Sequence, residues 1–318
     1  MRRLNPTQYF FLKCGIFIAV ILLVDQLGGR LLHACFMLEV TGEYAIANRI
    51  VYQTQEDVLI LGSSRAAHHY NPEILDRSLA MKCYNGGRDG QGMIYYEAIL
   101  DLALERHIPR LVILDVNNRD LDNDPEKKDN LSCLLPYLST SNSVDRFLLQ
   151  KSSFELLKAS MQTYRYNGQL FSIAQHTLFS KFSTPDIAGY RPLTGSMKTG
   201  SLPKKARAVQ KEEMDAENIR SLESIILNCR KNNIKLFVFI SPRYSLDPTT
   251  TTVKKVREIC KLRDIDFSDY TNKREFAHWQ YFADASHLND RGADLYSKTV
   301  ASHILKSDIK DFFKSAKR

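Results

Sequence analysis

Five short strand-like runs recur along the chain, separated by segments of helical periodicity, and the first and third are apolar and rich in branched residues. This alternation limits the fold more than any other feature. The runs lie at 57–61, 81–85, 111–116, 235–240 and 265–267. A strand that is apolar throughout, rather than at alternate positions, is buried on both faces, as in a parallel sheet covered by helices. Helical stretches follow at 72–80, 91–106, 216–232, 249–262 and 290–306, the first opened by Asn71-Pro72. The pattern predicts an α/β chain: three α/β/α layers around a five-stranded parallel, flavodoxin-like sheet. Right-handed crossovers favour the strand order 2-1-3-4-5, and ligands in such sheets bind beyond the carboxyl ends of the strands.

Two segments break the alternation. Near the N-terminus, 9–24 is apolar except for Lys13; Arg2 and Arg3 precede it and Asp25 follows. Sixteen helical residues span about 24 Å, a little short of the roughly 30 Å hydrocarbon core, and snorkelling by Lys13 and inclusion of Leu27 close the gap. An uncleaved anchor is preferred here over a cleaved signal, because no small-residue cleavage site follows directly, and over a buried core helix. The arginines predict a cytoplasmic N-terminus with the rest of the chain outside. The second break is 120–210, too long for an ordinary connection. Within it 144–182 reads as helical and aromatic-rich, with Tyr164, Tyr166, Phe171 and Phe179 more suited to a core than to a ligand platform. Pro185, Gly189, Pro192, Gly195, Gly200 and Pro203 mark 183–210 as a mobile loop. The expected organisation is an anchor at 1–29, a connector at 30–55, and a catalytic domain at 56–318 with an insertion at 120–210, either a lid over the rim or a packing subdomain.

The net charge of +8 is spread along the chain in short clusters such as Lys204-Lys205, Lys254-Lys255 and 314–318. No basic stripe interleaved with aromatics accompanies them, so nucleic acid is not an expected partner. The six cysteines form no Cys-x-x-Cys pair and no zinc-ligand spacing to histidine, so neither a metal site nor disulfides are expected.

The chemistry-bearing residues fall at strand ends. Ser64 closes Leu61-Gly62-Ser63-Ser64, directly after the first strand. A serine hydroxyl is a weak nucleophile and needs a base, usually histidine, whose ring in turn needs an acceptor to fix its tautomer. Asp284-Ala285-Ser286-His287, in the loop before the last helix, supplies both on one short segment. His68-His69 is a rival base without an evident aspartate partner. At the start of a helix the Ser64 N–H can point at a developing oxyanion. Gly90 is a candidate second donor, and Asn117 or Asn118, after the third strand, a third, with Asn118 slightly preferred. The bland alternatives are an N-cap role for Ser64 and a turn role for the glycines.

These blocks resemble the SGNH/GDSL hydrolase superfamily. Gly62-Ser63-Ser64-Arg65 is similar to its Gly-Asp-Ser-x block, with Ser63 where the family has aspartate. Asn85-Gly86-Gly87-Arg88-Asp89-Gly90 is similar to the second block, and Asp284-x-x-His287 with Leu288-Asn289-x-x-Gly292-Ala293 to the last. The third block, Gly-x-Asn-Asp in the family, is here Asn117-Asn118-Arg119-Asp120, with Arg119 in the asparagine position. The resemblance covers most of 56–305 but not 120–210. It implies a Ser64–His287–Asp284 serine esterase or O-acyltransferase, most simply O-acetyl, needing no cofactor. The serine variant at 63 also occurs in membrane-anchored branches that modify cell-envelope polymers. That implies a single-pass protein of the bacterial inner membrane with a periplasmic or extracellular catalytic domain. Its expected partners are an acylated glycan or other acyl ester, the lipid bilayer, and other membrane proteins of an acyl-transfer pathway. The alternatives are a catalytically inactive accessory or glycan-binding protein of the same fold and, less favoured, a phosphate-binding flavodoxin-like protein.

Overall fold

The computed structural model describes residues 5–141, 143–179, 186–198, 213–244, 249–307, 309 and 312. In chain order the elements are α1 (Pro6–Met37), α2 (Gly42–Tyr52), β1 (Val58–Gly62), α3 (Ser64–His69), α4 (Pro72–Leu79), β2 (Cys83–Asn85), α5 (Met93–Leu104), β3 (Leu111–Asp115) and α6 (Pro125–Asp129). There follow α7 (Val144–Lys151), α8 (Glu155–Lys158), α9 (Leu170–Phe179), α10 (Ala216–Lys231), β4 (Lys235–Ile240), α11 (Thr251–Leu262), β5 (Asp266–Asp269) and α12 (Asp290–Lys306). The chain divides into two compact units, 1–44 with 131–183, and 45–130 with 184–318.

The second unit holds the sheet, with strands parallel in the order β2-β1-β3-β4-β5. This is the expected arrangement. β1 and β3 are buried along their whole length, as continuous apolar runs require. One face of the sheet, through Val58, Ile60, Leu111, Ile113, Phe237 and Phe239, shares a core with Tyr70, Leu75, Tyr296 and Val300 of the segments around α3, α4 and α12. Against the other lie α5 and α10, packed on each other. Local sequence sets the helix starts. Asn71 caps α4 at the N–H of Glu73 with Pro72 in the first turn, Asp215 caps α10 at Glu217, and Thr250 caps α11 at Val253.

The first unit combines the N-terminal helix with 131–183, part of the segment that breaks the strand–helix alternation. Its α1 is a 32-residue helix, about 48 Å long, that runs into the first part of the 30–55 segment and ends at Met37. It is long and apolar enough to cross a membrane. Its side chains from Tyr9 to Val24 are nearly all exposed, unlike those of a core helix, whereas Asp25, Gly29 and Phe36 are buried. Asp25 accepts from the N–H groups of Gln162 and Thr163 and from the Thr163 hydroxyl, at 2.6–3.0 Å. Phe36 meets Tyr44, Tyr137 and Tyr166 edge-on.

The stretch 144–182 is not one helix. Ser152 turns to extended backbone and ends α7, and a 3-10 turn at Thr163–Gln169 separates α8 from α9. The carboxylate of Asp25 takes amide N–H groups that a continuous helix would use internally. Tyr166 is core as expected, but Phe171 is 82% exposed. The described part of the expected mobile loop is tied down. Asn85 N–H donates to Ala188 O, Arg191 N–H to Ala67 O and Met197 N–H to Phe282 O. Pro185, Gly200, Pro203, Lys204-Lys205 and 314–318 lie outside the described residues. All six cysteines are free thiols.

Candidate active site

β1 ends on Gly62, whose φ of +153° favours glycine and whose missing Cβ would stand 2.7 Å from Asp115 O. The chain then turns sharply into α3, with Ser63 as N-cap and Ser64 as the first helical residue. Ser64 is therefore not the cap. Its N–H belongs to the first turn, where no intrahelical acceptor exists. Arg65 fixes the turn from below, donating to Val116 O at 2.7 Å and Ser241 O at 3.2 Å, past the ends of β3 and β4.

The base arrives from the loop before α12. Phe282 and Leu288 pair across that loop, Ala283 N–H donates to His287 O, and Tyr244 N–H donates to Ala285 O. Asn289 caps α12 at Gly292 N–H and donates its amide to Gly195 O and Gln280 O. A Cβ on Gly292 would lie 2.2 Å from Tyr281 O. The Leu-Asn-x-x-Gly continuation of the last block is thus the device that seats the loop.

On this frame Ser64 Oγ and His287 Nε2 are 2.8 Å apart. His287 Nδ1 lies 2.9 Å from Asp284 Oδ2. Asp284 Oδ1 accepts from Ser286 N–H at 2.7 Å and His287 N–H at 3.0 Å. Burial raises the Asp284 pKa, but these hydrogen bonds and His287 outweigh it and hold the carboxyl below its usual range. An ionised carboxylate accepts the Nδ1 proton and leaves Nε2 with its lone pair toward the serine.

The structure brings together Ser64, Asp284 and His287, and the rival histidines pack edge-on against His287 with their ring nitrogens bonded to other partners. His68 Nδ1 is 2.6 Å from Arg191 O and its Nε2 faces Asp89 at 3.6 Å. His69 is fully buried between Ser241 Oγ and the Leu288 N–H. Gly90 lies in a turn, with φ +68°, on a loop stitched to β1 by the Gly86 N–H to Ile60 O and Arg88 N–H to Gly62 O bonds. Of the two asparagines, Asn117 reaches toward the site, its amide 3.5 Å from Ser63 Oγ. Asn118 borders a small pocket with Arg243, Thr249 and Asn272 instead. Sequence reasoning named His69 only as a rival base and missed Ser241 and Asp115 as members of this neighbourhood. Asp115, a carboxylate ending an otherwise apolar strand, was the available signal. Among the described residues no cluster of three or more His, Cys, Asp or Glu side chains could hold a metal ion.

No family model and no curated protein matches the sequence. Solved structures similar to this one include a proposed lipolytic protein of the G-D-S-L family from Desulfitobacterium hafniense DCB-2. It is 11% identical, with 77% of this chain and 97% of that one covered and a TM-score of 0.40. A proposed acylhydrolase from Bacteroides fragilis NCTC 9343 is 11% identical, over 82% of this chain and 94% of that one, with a TM-score of 0.41. A gut microbial diltiazem-metabolizing enzyme is 12% identical, over 80% of this chain and 47% of that one, at 0.36.

Proposed function

We propose that this protein is a membrane-anchored serine esterase or O-acyltransferase acting on an acylated glycan outside the cytoplasm. The observation that carries the reaction type is the continuous Ser64–His287–Asp284 hydrogen-bond chain, 2.8 Å and 2.9 Å at its two links. Ser64 Oγ attacks the ester carbonyl while His287 Nε2 takes its proton. The carbonyl oxygen becomes an oxyanion, met by the Ser64 and Gly90 N–H groups and the Asn117 amide. The C–O bond to the alcohol breaks, His287 returns the proton to the leaving oxygen, and the acyl group stays on Ser64. Water or a sugar hydroxyl, deprotonated by the same histidine, then attacks the acyl-enzyme. The first route is hydrolysis, the second transfer. Asp284 stays ionised and steadies the imidazolium throughout.

The membrane part of the reading rests on α1, whose exposed apolar stretch suits hydrocarbon rather than water. Arg2 and Arg3 favour a cytoplasmic N-terminus, which leaves the sheet on the outer side. The glycan acceptor follows from the family resemblance and that location.

A fluorophosphonate probe tests the chemistry. Covalent labelling of the full chain in detergent, lost in Ser64→Ala, is expected. A folded protein that is not labelled, and binds acylated glycan equally well with Ser64→Ala, is instead a binding module. Acyl transfer from p-nitrophenyl acetate to added oligosaccharide, against release of free acetate, separates the two fates of the acyl-enzyme.

A further inference from the structure

Behind the triad runs a second hydrogen-bond chain, wholly buried, whose polarity can be read atom by atom. The Leu288 N–H, next in sequence to His287, lies 2.9 Å from His69 Nε2. A backbone N–H can only donate, so Nε2 holds a lone pair and the ring proton is on Nδ1. Nδ1 therefore donates to Ser241 Oγ, 3.0 Å away. Ser241 Oγ in turn donates to Asp115 Oδ2 at 3.1 Å, and Ser241 N–H to Asp115 Oδ1 at 3.0 Å. Tyr70 closes the carboxylate with an O–H bond of 2.9 Å. Each of His69, Ser241 and Asp115 is 0% exposed. Burial and the Arg65 charge push the His69 pKa well down, in keeping with the neutral ring that this bonding requires. Arg65, the residue after the nucleophile, hangs on the same place, with Nε 3.8 Å from Asp115 Oδ2 and a bond to Ser241 O.

We infer that His69 is a positioning residue for the general base. It ties the His287 loop, through the Leu288 N–H, to the Asp115–Ser241 pair at the strand ends where Arg65 also holds the nucleophile. This inference rests on the serine-hydrolase reading. Ser64 and His287 stand on elements 223 positions apart in sequence, and their 2.8 Å contact is kept because both are measured from one buried origin. Nothing in this chain carries a proton to or from substrate, since the Leu288 amide does not ionise.

The test exploits the two ring nitrogens. In His69→Gln the side-chain oxygen reaches the Nε2 position and still accepts from Leu288. In His69→Asn the amide reaches only the Nδ1 position and the Leu288 N–H is orphaned. Fluorophosphonate labelling is expected to slow about 10–100-fold in His69→Asn, because misplacement by about 1 Å costs this much. It should stay within about threefold of wild type in His69→Gln. With p-nitrophenyl acetate the loss should fall on kcat and leave KM unchanged. Hydrogen exchange at the Leu288 amide should be slow in wild type and His69→Gln and fast in His69→Asn. Equal losses in both variants, tracking a common fall in Tm, would reduce His69 to packing and overturn the inference. So would an unprotected Leu288 amide in wild type. If His69→Asn does not fold, Ser241→Ala, which unpins the Nδ1 side, should slow labelling about tenfold, and unchanged labelling there is equally fatal. Absence of Ser64-dependent labelling in wild type defeats the hydrolase reading instead, while Leu288 exchange still reports on the tether.

Discussion

Asp284→Asn is the most informative single change, because the loop fixes which way the new amide must face. In the wild-type chain one carboxylate oxygen, Oδ1, takes the N–H groups of Ser286 and His287, and the other, Oδ2, faces His287 Nδ1. An asparagine has one oxygen. Held by the two backbone donors, it turns its NH2 toward Nδ1. That nitrogen must then accept, the ring proton moves to Nε2, and a donor rather than a base faces Ser64. Flipping the amide restores the ring but leaves two N–H groups against an NH2, at about 1–3 kcal/mol for each orphaned donor. Because the Asp284 side chain is 58% exposed, water offsets part of that, so the lower half of the range, about 2–4 kcal/mol in all, applies. The expected loss in labelling rate or kcat/KM is therefore about 30–1000-fold. Asp284→Ala, although a larger change, frees the ring to take either tautomer and should be no worse than Asp284→Asn. Thermal melts should put Asp284→Asn near wild type, since the loop bonds survive. Labelling of Asp284→Asn within about threefold of wild type, or more than about tenfold faster than Asp284→Ala, would refute the tautomer argument.

Four further outcomes are expected. Asn117→Ala should lower kcat about 10–100-fold as an oxyanion donor, against less than about threefold for Asn118→Ala, and the reverse order would move the donor to Asn118. Gly87→Ala should cost more than about 3 kcal/mol or prevent folding, because its Cβ would stand 2.2 Å from Ala67 N in the backbone of α3; a Tm unchanged from wild type contradicts that packing. Burial pushes Asp115 up to about 6 from 3.8. The folded state thus holds the proton longer than the unfolded one, and the Asp115 contribution to stability falls by about 3 kcal/mol as pH rises from about 4 to about 6. Urea unfolding should show the gap between wild type and Asp115→Asn shrinking across that window, and a flat or widening gap refutes it. The full chain should resist carbonate extraction from membranes. Replacing Ile16, Val20 and Leu23 by lysine, at about 2.5–3.5 kcal/mol each, should release it, and extraction of the wild-type chain would remove the anchor reading.

The sheet was legible because its central strands are nearly continuous apolar runs, and burial on both faces leaves no other reading of 111–116 or 235–240. The acid and base were legible because they share four consecutive residues. What escaped reading was whatever depends on long-range hydrogen bonds. His69 is adjacent in sequence to an equally histidine-like His68, yet one ring is sealed between Ser241 and Leu288 and the other lies beside Asp89. No local pattern separates them. The segment 144–179 is largely helical, as its composition suggested, but it is broken into short pieces for a similar reason. Its periodicity is real, but Asp25, more than 130 positions away, takes the Gln162 and Thr163 amides. The hydrophobic run stops at Val24, but the helix gains partners in Thr163 and Tyr166 and continues to Met37.

The two departures from the family blocks, Ser63 and the 117–120 sequence, explain each other in the structure. Asp120 is fully buried and accepts from Asn117 N–H at 2.7 Å, Tyr96 O–H at 3.2 Å and Lys127 at 2.7 Å. Its own N–H returns to Asn117 O. The 117–120 turn therefore closes on its last residue, and Asn117, its first, is the one presented to the nucleophile turn. Arg119, in the position where the family pattern has asparagine, points away to an ion pair with the buried Asp122 carboxylate. Ser63 stands against the Asn117 amide and the Tyr96 hydroxyl, the same hydroxyl that meets Asp120. An aspartate at 63 would put a second carboxylate on that hydroxyl, and two buried carboxylates sharing a partner repel unless one takes a proton. A serine hydroxyl accepts from the Asn117 amide and bonds the Tyr96 hydroxyl without adding charge. With Asp120 already supplying the carboxylate that orders the turn, the hydroxyl at 63 meets the Asn117 amide without a second buried charge.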